Sequence, residues 1–405
     1  MKLLIGIDWS QDHHDVCIMN EAGAVIVHFE ISHSPEGFTK LEKNIDKLDV
    51  PPANCLVALE TAHNLLIDFL WSRGYTVFIV APSVTRSSRG RYGSSGAHTD
   101  ADDAFLLADL LRTDRSRFAP WKPDGLLVTQ MKAKLGLVDS LTKSITRHSN
   151  QLHALLLRYY PQVLEAFNDL QTQICLQFII AYPTPYGAQA ISFGQFDAFC
   201  CVQHYTHPKL IPELYARLSR PSLKPDPTIV LALQDEAGFL ARLLLNLVQQ
   251  KARTIREVNE LLEKHPDAPI FDSLPGAGDL LAPKLLVMFG DHRDRFPSPK
   301  AIQSLAGTCP VTDQSGKRRR VYFRKACNRD HRNTAQQFAK SSTLQAEWAM
   351  TYFSQCLARG MSKSHAYRCL ANRWLGIIWK LWQTGQVYDE AYHLQQINEH
   401  RRRRR

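Results

Sequence analysis

Short apolar segments alternate with amphipathic helices over residues 2–82, and this alternation constrains the fold more than any other feature. Five segments have the length and residue types of β-strands: 2–10, 14–20, 24–32, 55–60 and 75–82. Glu21, Ala22 and Gly23 are typical of a turn, so the first three segments predict antiparallel neighbours. Helices are expected at about 34–48 and 63–74. Strands that later alternate with helices indicate an α/β domain with a mixed sheet.

The pattern changes after this region. Residues 83–96 are rich in Ser, Gly and Arg and predict a mobile loop. Thr99 is the expected N-cap of a helix over residues 100–112. Apolar residues at three- and four-residue steps then predict a long helix or coiled-coil hairpin at 124–160 and another helix at 228–264. Between these two helices, residues 161–227 look irregular and receive no assignment.

These patterns divide the chain into four parts. We expect an α/β domain at 1–118, a helical coiled-coil middle with an irregular insertion at 119–264, a mostly α-helical domain at 265–385 and a tail at 386–405. The tail ends in Arg401–Arg405, a run of like charge that predicts disorder. This run supplies half of the formal net charge of +10. The protein is therefore only mildly basic elsewhere, and the distribution of its cations carries the information.

Targeting and cysteine patterns are equally simple. No stretch of 18 uncharged apolar residues occurs, and Asp8 comes too early for a signal peptide, so we expect a soluble, cytoplasmic protein with no membrane partner. The nine cysteines form no CxxC pair. Their spacing favours reduced core thiols over a zinc site or a disulfide framework.

Four carboxylates occupy positions that the predicted fold can bring together. Asp8 ends the first strand, Glu60 ends the fourth, and Asp100 and Asp103 share a helix face. Such a cluster repels itself unless cations bind, and two Mg²⁺ ions would suit it. Acidic residues at strand ends are also common solvated caps, so a metal site and a structural role are about equally favoured. Asp102 is an alternative to Asp103, and Asp12 or Asp15 to Asp8.

The C-terminal domain begins with a segment similar to a helix-hairpin-helix. Its turn contains Gly276 and Gly278, which would let the backbone approach a phosphate before a helix N-terminus. An ordinary turn between helices would have the same composition, so both interpretations stay open.

A basic segment follows at 316–332, with eight Lys or Arg residues, one Asp and two aromatic residues. This mixture is typical of phosphate contacts combined with base stacking, although a solvated charged surface is the simpler alternative. The candidate nucleic-acid-binding cations are Lys317, Arg318, Arg319, Arg320, Arg324 and Lys325. Ser315 precedes them in a turn where its hydroxyl would be exposed. A Ser-Gly pair is usually only a turn, and no histidine base is adjacent, so a nucleophilic Ser315 would need help from elsewhere.

Six segments together resemble the DEDD-type transposases of the Insertion Sequence 110 family, to which the Piv-type DNA invertases are related. The N-terminal segments are GIDWSQDHHDVCIMN, LVALETAHN and HTDADDAFLLADLL, and the C-terminal ones are LPGAGDLLAPKLL, FPSPKAIQSLAG and SGKRRR. The sequence departs from the family pattern at His98, where a lysine is common, and at Gln314, where a second serine is common. The latter leaves Ser315 as the serine beside that glycine.

The resemblance implies a RuvC-like (RNase H-like) domain, a coiled-coil linker and a helical serine domain. It implies that Asp8, Glu60, Asp100 and Asp103 bind Mg²⁺ and that Ser315 forms a phosphoserine link to DNA. The implied partners are donor and target DNA, a noncoding guide (bridge) RNA, and further copies of the chain as a dimer and, in synapsis, a tetramer. A nucleoid-associated location in a bacterial cytoplasm would follow.

Two other functions stay open on the sequence. A RuvC-like junction nuclease would use the same carboxylates with water as the nucleophile, and it would tolerate loss of Ser315. A non-catalytic RNA- or DNA-binding protein would use the carboxylates only structurally, and it would show no metal-dependent cleavage.

Overall fold

The structure is a computed structural model, and it describes residues 1–62, 64–91, 99–220, 225–316 and 318–402. The chain forms two compact units, Met1–Pro123 and Asp124–Arg405.

The N-terminal unit contains a five-stranded sheet in the order β3-β2-β1-β4-β5. Its strands are β1 (Leu3–Trp9), β2 (His13–Asn20), β3 (Val25–Ser32), β4 (Cys55–Leu59) and β5 (Thr76–Ile79). The first three strands pair antiparallel, whereas β4 pairs parallel with both β1 and β5. The predicted mixed α/β sheet is therefore confirmed.

Helices cover both faces of this sheet, and the central strands β1 and β4 bury side chains on both faces. The helices are α1 (Pro35–Asp46), α2 (Leu65–Ser72), α3 (Pro82–Ser88) and α4 (Asp100–Thr113). Apolar residues of α1 and α2 form one core with Leu3, Ile5 and Ile7 of β1. The other core lies on the opposite face, between α4 and residues that include Leu4. Thr99 caps α4 as predicted.

Gly6 allows α4 to pack directly on β1. A Cβ atom on Gly6 would lie 2.0 Å from the carbonyl oxygen of Ala104 and 2.5 Å from the backbone nitrogen of Ala108. Both atoms belong to the backbone of α4, so any larger residue would have to displace the whole helix. This close contact fixes the first turn of α4 beside the end of β1, where Asp8 lies.

The prediction of a loop at 83–96 was wrong for its first part. Residues 83–88 belong to α3, and a 3-10 turn covers Arg89–Arg91. Pro82 opens the helix at its first turn, where a missing N–H costs nothing. Thr85 and Ser88 are buried, so these small polar residues contribute to packing. The remainder of the predicted loop, together with His98, lies outside the described residues.

The C-terminal unit contains two long helices, α5 (Leu126–Tyr159) and α11 (Pro227–Glu263), which are separated in the chain by shorter helices. Lys134 of α5 forms an ion pair with Glu257 of α11, and Gln151 donates a hydrogen bond to Glu236 at 3.2 Å. Residue numbers therefore rise along α5 as they fall along α11, and the pair is antiparallel. This arrangement agrees with the predicted helical middle.

Residues 161–220 are not irregular, contrary to our expectation. They form α6 (Pro161–Ala166), α7 (Gln173–Ala181), α8 (Pro185–Gln189), α9 (Phe193–Val202) and α10 (Ile211–Leu218). Buried aromatic residues such as Phe178 and Phe196 form a core that also includes parts of α5 and α11. Two of the prolines here open helices and do not mark loops, since Pro161 and Pro185 are first-turn residues.

The remaining helices pack around a second, tryptophan-rich core that includes Trp374 and Trp382. They are α12 (Ala268–Asp272), α13 (Gly278–Phe289), α14 (Pro299–Leu305), α15 (Arg329–Ser342), α16 (Glu347–Ala358), α17 (Lys363–Thr384) and α18 (Glu390–Arg402). The mostly helical prediction is confirmed. Because α18 extends to Arg402, the predicted disorder was wrong for the backbone of Arg401 and Arg402, and residues 403–405 lie outside the described part.

Two strands interrupt these helices. β6 (Val311–Ser315) and β7 (Arg318–Tyr322) form an antiparallel ribbon whose residues are all exposed. All nine cysteines are free thiols, and five of them are buried, so the prediction of core thiols is confirmed for those five and wrong for the other four. Among the described helices, none has the length and apolar character needed to cross a membrane.

Candidate functional site

A row of acidic side chains crosses four adjacent strands of the N-terminal sheet. Asp8 on β1 pairs with Asp15 on β2, which pairs with Glu30 on β3. On the other side, Ile7 pairs with Leu59, so Glu60 is the next position in register with Asp8. Side chains alternate along a strand, and Gly6 faces α4, so Asp8 lies on the α4 face as well.

The first turn of α4 adds two further carboxylates to this face. The hydroxyl of Thr99 accepts a hydrogen bond from the backbone N–H of Asp102, and the Asp102 carboxylate accepts one from the N–H of Thr99 at 3.0 Å. This capping box commits Asp102 to the helix end. Asp100 and Asp103 are instead close enough to Asp8 to perturb its ionisation. The structure therefore favours Asp103 over the alternative Asp102 as a partner of Asp8.

Asp8 is the most strongly perturbed carboxylate of the group. Burial and the negative charges of Asp103, Asp100, Glu60 and Asp15, in that order, raise the pKa of Asp8 from 3.8 to about 7. All of the other three predicted site carboxylates contribute, so they are close enough to Asp8 for their charges to act on it. Excess negative charge is the dominant electrostatic feature of this end of the sheet.

Asp15 extends the cluster beyond the four predicted residues. Burial and the charges of Glu30 and Asp100 raise the pKa of Asp15, whereas the nearby His28 imidazole lowers it. The distance from His28 Nε2 to Asp15 Oδ1 is 3.6 Å. Asp15 is therefore an additional carboxylate beside Asp8 and not an alternative to it.

Two side chains of α3 and the turn after it engage the cluster. Arg89 Nε donates to Asp103 Oδ1 at 3.0 Å, while Arg89 Nη2 donates to Asp103 Oδ2. The hydroxyl of Thr85 donates to the Glu60 carboxylate. The hydrogen bond to Asp103 and the charges of Asp103, Glu60 and Asp8 raise the pKa of Arg89. A guanidinium thus supplies positive charge inside the cluster.

Within the described residues, no three His, Cys, Asp or Glu side chains converge in an arrangement that could hold a metal ion.

Sequence reasoning missed Thr85 and Arg89 because both lie in the segment taken for a loop. One signal was available. The two residues are four positions apart and follow a proline, which is the spacing of neighbours on one helix face.

Ser315 lies at the end of the exposed ribbon in the other unit. It is the last residue of β6, and Gly316 follows with φ +55°, a left-handed conformation that favours glycine in a tight turn. Ser315 pairs directly with Arg318 on β7. Because side chains alternate, Ser315 shares a ribbon face with Arg318 and Arg320, whereas Gln314 and Arg319 lie on the opposite face.

The predicted cations have different environments. Arg318, Arg319 and Arg320 are exposed on β7, and Lys325 is exposed in the loop that follows. Arg324 is partly buried, and its Nε donates to the carbonyl of Cys309 at 3.2 Å. Arg324 therefore serves at least partly to fix the base of the ribbon. Lys317 lies outside the described residues.

The two predicted turn glycines also differ. Gly276 has φ +79°, and a Cβ atom there would lie 2.9 Å from the backbone carbonyl atoms of Ser341 on α15. The close approach at Gly276 is therefore made by this chain's own backbone. Gly278 has φ +52° with open space at the Cβ position, so a phosphate contact stays a prediction for Gly278.

Comparisons with known proteins match both ends of the chain. A family model described as a DEDD-type transposase of IS110 matches residues 5–161. A model described as the transposase IS116/IS110/IS902 family matches residues 268–354. The first match includes all four candidate carboxylates, and the second includes Ser315.

Whole-chain relatives give the same result. The mini-circle putative transposase for IS117 of Streptomyces coelicolor is 28% identical over 405 residues, with 96% of each chain covered. An uncharacterized 44.8 kDa protein of insertion element IS116 from Streptomyces clavuligerus is 23% identical, with 96% of this chain and 97% of the relative covered. An uncharacterized 42 kDa protein of insertion element IS900 from Mycobacterium paratuberculosis is 23% identical, with 81% of this chain and 82% of the relative covered. The chain belongs to the IS110 family of transposases.

Proposed function

We propose that this transposase cuts and rejoins DNA through a covalent phosphoserine intermediate at Ser315, supported by Mg²⁺ at Asp8, Glu60, Asp100 and Asp103. The observation that carries the proposal is the electrostatic effect of the other three carboxylates on Asp8, whose pKa burial and these charges raise to about 7. Clusters of like charge that strongly perturb a pKa are costly for a fold and are concentrated at functional sites.

The donor set suits the proposed ion. Mg²⁺ prefers hard oxygen ligands and is commonly bound through one or two carboxylates with water and phosphate oxygens. When bound, Mg²⁺ supplies Lewis-acid stabilisation of the charge that develops on phosphate oxygens. Asp8 and Glu60, on rigid strand ends, would hold the ion, and Asp103 would join them by exchanging its contact with Arg89.

Ser315 would carry out the bond exchange. Its hydroxyl oxygen forms a bond to phosphorus, the hydroxyl proton leaves to a carboxylate or to water, and the phosphorus–oxygen bond to one DNA strand breaks. The departing deoxyribose oxygen takes up a proton, and the reverse sequence with another strand end rejoins the DNA. Arg318 lies directly across the ribbon from Ser315 and would contact the phosphate under attack.

The same proposal includes the partners implied by the family. A noncoding RNA would guide the choice of donor and target DNA, and the N-terminal unit would act as a RuvC-like domain. The chain would work as a dimer and pair into a tetramer, so that carboxylates of one subunit serve Ser315 of another. In support, Ser315 and the carboxylates lie in separate compact units, and the ribbon that carries Ser315 is exposed along its whole length.

We expect Arg89→Gln to tighten the binding of Mn²⁺, used as a spectroscopic substitute for Mg²⁺. The guanidinium contacts both carboxylate oxygens of Asp103, so any ion bound there must displace it. Removing this competing cation should lower the Kd for Mn²⁺ by about tenfold, equivalent to about 1.4 kcal/mol. Electron paramagnetic resonance of free Mn²⁺ measures this in the absence of DNA.

Arg91→Gln is the matched control for this measurement. Arg91 is two residues away in the same turn, but it forms an ion pair with Asp114 at 2.8 Å. We expect its Kd for Mn²⁺ to equal that of the wild type. Weaker binding in Arg89→Gln, or an equal effect of both variants, would show that Arg89 does not compete with the ion.

The whole proposal is tested by incubating the protein with end-labelled DNA from the junctions of its element and with transcripts of the element's noncoding segments. We expect a DNA strand linked to protein, and joined products, in Mg²⁺ but not in excess chelator. Cleavage that continues in chelator would overturn the role of the carboxylates. Cleavage without any protein-linked strand would instead support a nuclease that uses water.

A further inference from the structure

A groove in the C-terminal unit belongs to neither of the sites described above. It has a volume of about 440 Å³ and lies between α5, α13 and the N-terminal half of α15. Leu135, Val287 and Met288 supply the apolar part of its lining. Its polar lining includes Lys132, Asp139, Thr142, Lys143, Lys284, Asn328, Asp330, His331, Asn333, Thr334 and Gln337. Pockets of this size, about 300–1,000 Å³, accept molecules the size of a nucleotide.

Three lysines and two aspartates, Asp139 and Asp330, line the groove, so its formal charge favours an anion by one positive charge. Lys284 is neutralised by Asp139, with an Nζ–Oδ1 distance of 2.7 Å. Lys132 and Lys143 are exposed, eleven positions apart on α5, and neither forms an ion pair within the described part of the chain. Three helical turns separate them, about 16 Å at 1.5 Å per residue. This separation exceeds that of neighbouring phosphates on one strand, so the two lysines would contact phosphates more than one nucleotide apart.

Gly136 keeps the middle of the groove open. It lies inside the 34-residue helix α5, where glycine costs about 1 kcal/mol relative to alanine. A Cβ atom there would meet nothing within 4 Å, and the backbone does not have a positive φ. Neither packing nor conformation therefore requires a glycine at this position. Gly136 therefore contributes no side chain to the groove wall between Lys132 and Lys143.

Hydrogen-bonding side chains lie on the opposite wall. Asn333 and Gln337 are exposed and four residues apart on α15, so they lie on the same helix face. Burial lowers the pKa of the neighbouring His331 to about 4, so its imidazole is neutral at pH 7. Amide groups and a neutral imidazole both donate and accept hydrogen bonds, as the edge of a nucleobase requires.

We propose that this groove binds an unpaired nucleotide of a nucleic-acid strand. The base lies on the apolar lining beside Gly136, and Asn333 and Gln337 contact its edge. Lys132 and Lys143 contact phosphates of the same strand on either side of the bound nucleotide. The inference rests on the proposed action on nucleic acid and adds a binding site outside the catalytic residues. An unpaired base is favoured over a duplex because the lining combines an apolar surface with amide groups between the cations.

The contribution of Lys132 and Lys143 to binding can be measured by fluorescence anisotropy in the presence of chelator. The probes are an unpaired DNA oligonucleotide, the RNA of the same sequence and the DNA duplex. We expect Lys132→Ala combined with Lys143→Ala to weaken binding of an unpaired strand about tenfold and to reduce the salt slope by about 1.4, because each single-strand phosphate contact contributes about 0.7. Lys340→Ala is the control, since Lys340 is exposed on α15 and outside the groove. Equal binding by the double variant and the control would overturn the proposal.

Gly136→Gln tests the space itself. We expect it to weaken binding of the unpaired strand at least fivefold while duplex binding changes less than twofold. Gly136→Ala should keep the fold and raise the melting temperature. This control shows that weaker binding by Gly136→Gln results from a blocked groove and not from unfolding. If Gly136→Gln weakens duplex and single strand equally, the occupant is a duplex backbone and the unpaired-nucleotide proposal fails. The comparison of RNA with DNA identifies which strand binds. Because the assay contains chelator and measures no cleavage, its outcome is independent of the phosphoserine mechanism.

Discussion

Replacement of Asp8 by asparagine is expected to abolish strand cleavage and, at the same time, to stabilise the metal-free protein at pH 8. Both effects have one cause. Burial and four neighbouring carboxylates disfavour the ionised form of Asp8 and raise its pKa to about 7. Asparagine has nearly the same shape without the charge, so it removes the repulsion and also the proposed metal ligand. We expect activity to fall by at least a factor of about 10³, as for loss of a central electrostatic group in catalysis.

The sign of the pH dependence follows from the direction of the shift. A carboxyl whose folded pKa lies above its unfolded value of 3.8 binds its proton more tightly in the folded state. The wild type therefore loses stability as the pH rises from about 4 through 7, whereas Asp8→Asn does not lose this contribution. At pH 8 the variant should be more stable by about 2 kcal/mol, after allowance for solvent screening and partial exposure. At pH 5 most of this difference should disappear.

Thermal unfolding in chelator at pH 5 and pH 8, together with the cleavage assay in Mg²⁺, measures both effects. Asp12→Asn is the control, because Asp12 is exposed beyond the end of β1 and its removal changes the net charge equally. We expect the control to cleave DNA and to unfold like the wild type. A difference in stability between Asp8→Asn and wild type that is the same at both pH values would refute the electrostatic account. Cleavage retained by Asp8→Asn would show that Asp8 is not a catalytic residue.

The sequence predicted the N-terminal sheet well because its signals are local. Apolar runs ending in Asp8 and Glu60, and a helix starting at Thr99, are visible without tertiary information. The acidic row across β3, β2, β1 and β4 depends instead on strand register, so Asp15 was available only as an alternative to Asp8, and Glu30 could not be assigned to the row beforehand. The role of Gly6 likewise becomes visible only when α4 lies against it.

The missed features have a common physical origin. Thr85, Ser88 and Arg89 look like loop residues by composition, but α3 buries the first two and aims the third at Asp103. Tertiary packing here outweighs weak local propensity. The ribbon at Ser315 shows the opposite case. Both of its faces are exposed, so its strands lack the alternation of apolar and polar residues that identifies a half-buried strand.

Ser315→Ala is expected to eliminate the covalent protein–DNA adduct completely while leaving nucleic-acid binding within about twofold of wild type. The hydroxyl is the only group lost, and Ser315 is exposed at the end of a ribbon where no packing depends on it. Denaturing electrophoresis of labelled DNA, with Mg²⁺ and the cognate transcript, detects the adduct. An adduct that persists in the variant would show that another residue is the nucleophile. Cleavage that continues without an adduct would indicate attack by water.

The two faces of the ribbon permit a sharper version of the same experiment. Arg318 pairs directly with Ser315, whereas the neighbouring Arg319 pairs with Gln314 on the opposite face. Each alanine substitution removes one exposed cation, so both should weaken general phosphate binding and reduce the salt slope by a similar amount, about 0.7–0.9. Adduct formation should differ, because only Arg318 is on the side from which the hydroxyl attacks. We expect Arg318→Ala to slow adduct formation at saturating DNA by about 10²-fold, the effect of losing one donor to a developing oxyanion, and Arg319→Ala by less than about threefold. Equal rates in the two variants would show that the arginines contribute charge alone and that the face shared by Ser315 and Arg318 has no special part in the reaction.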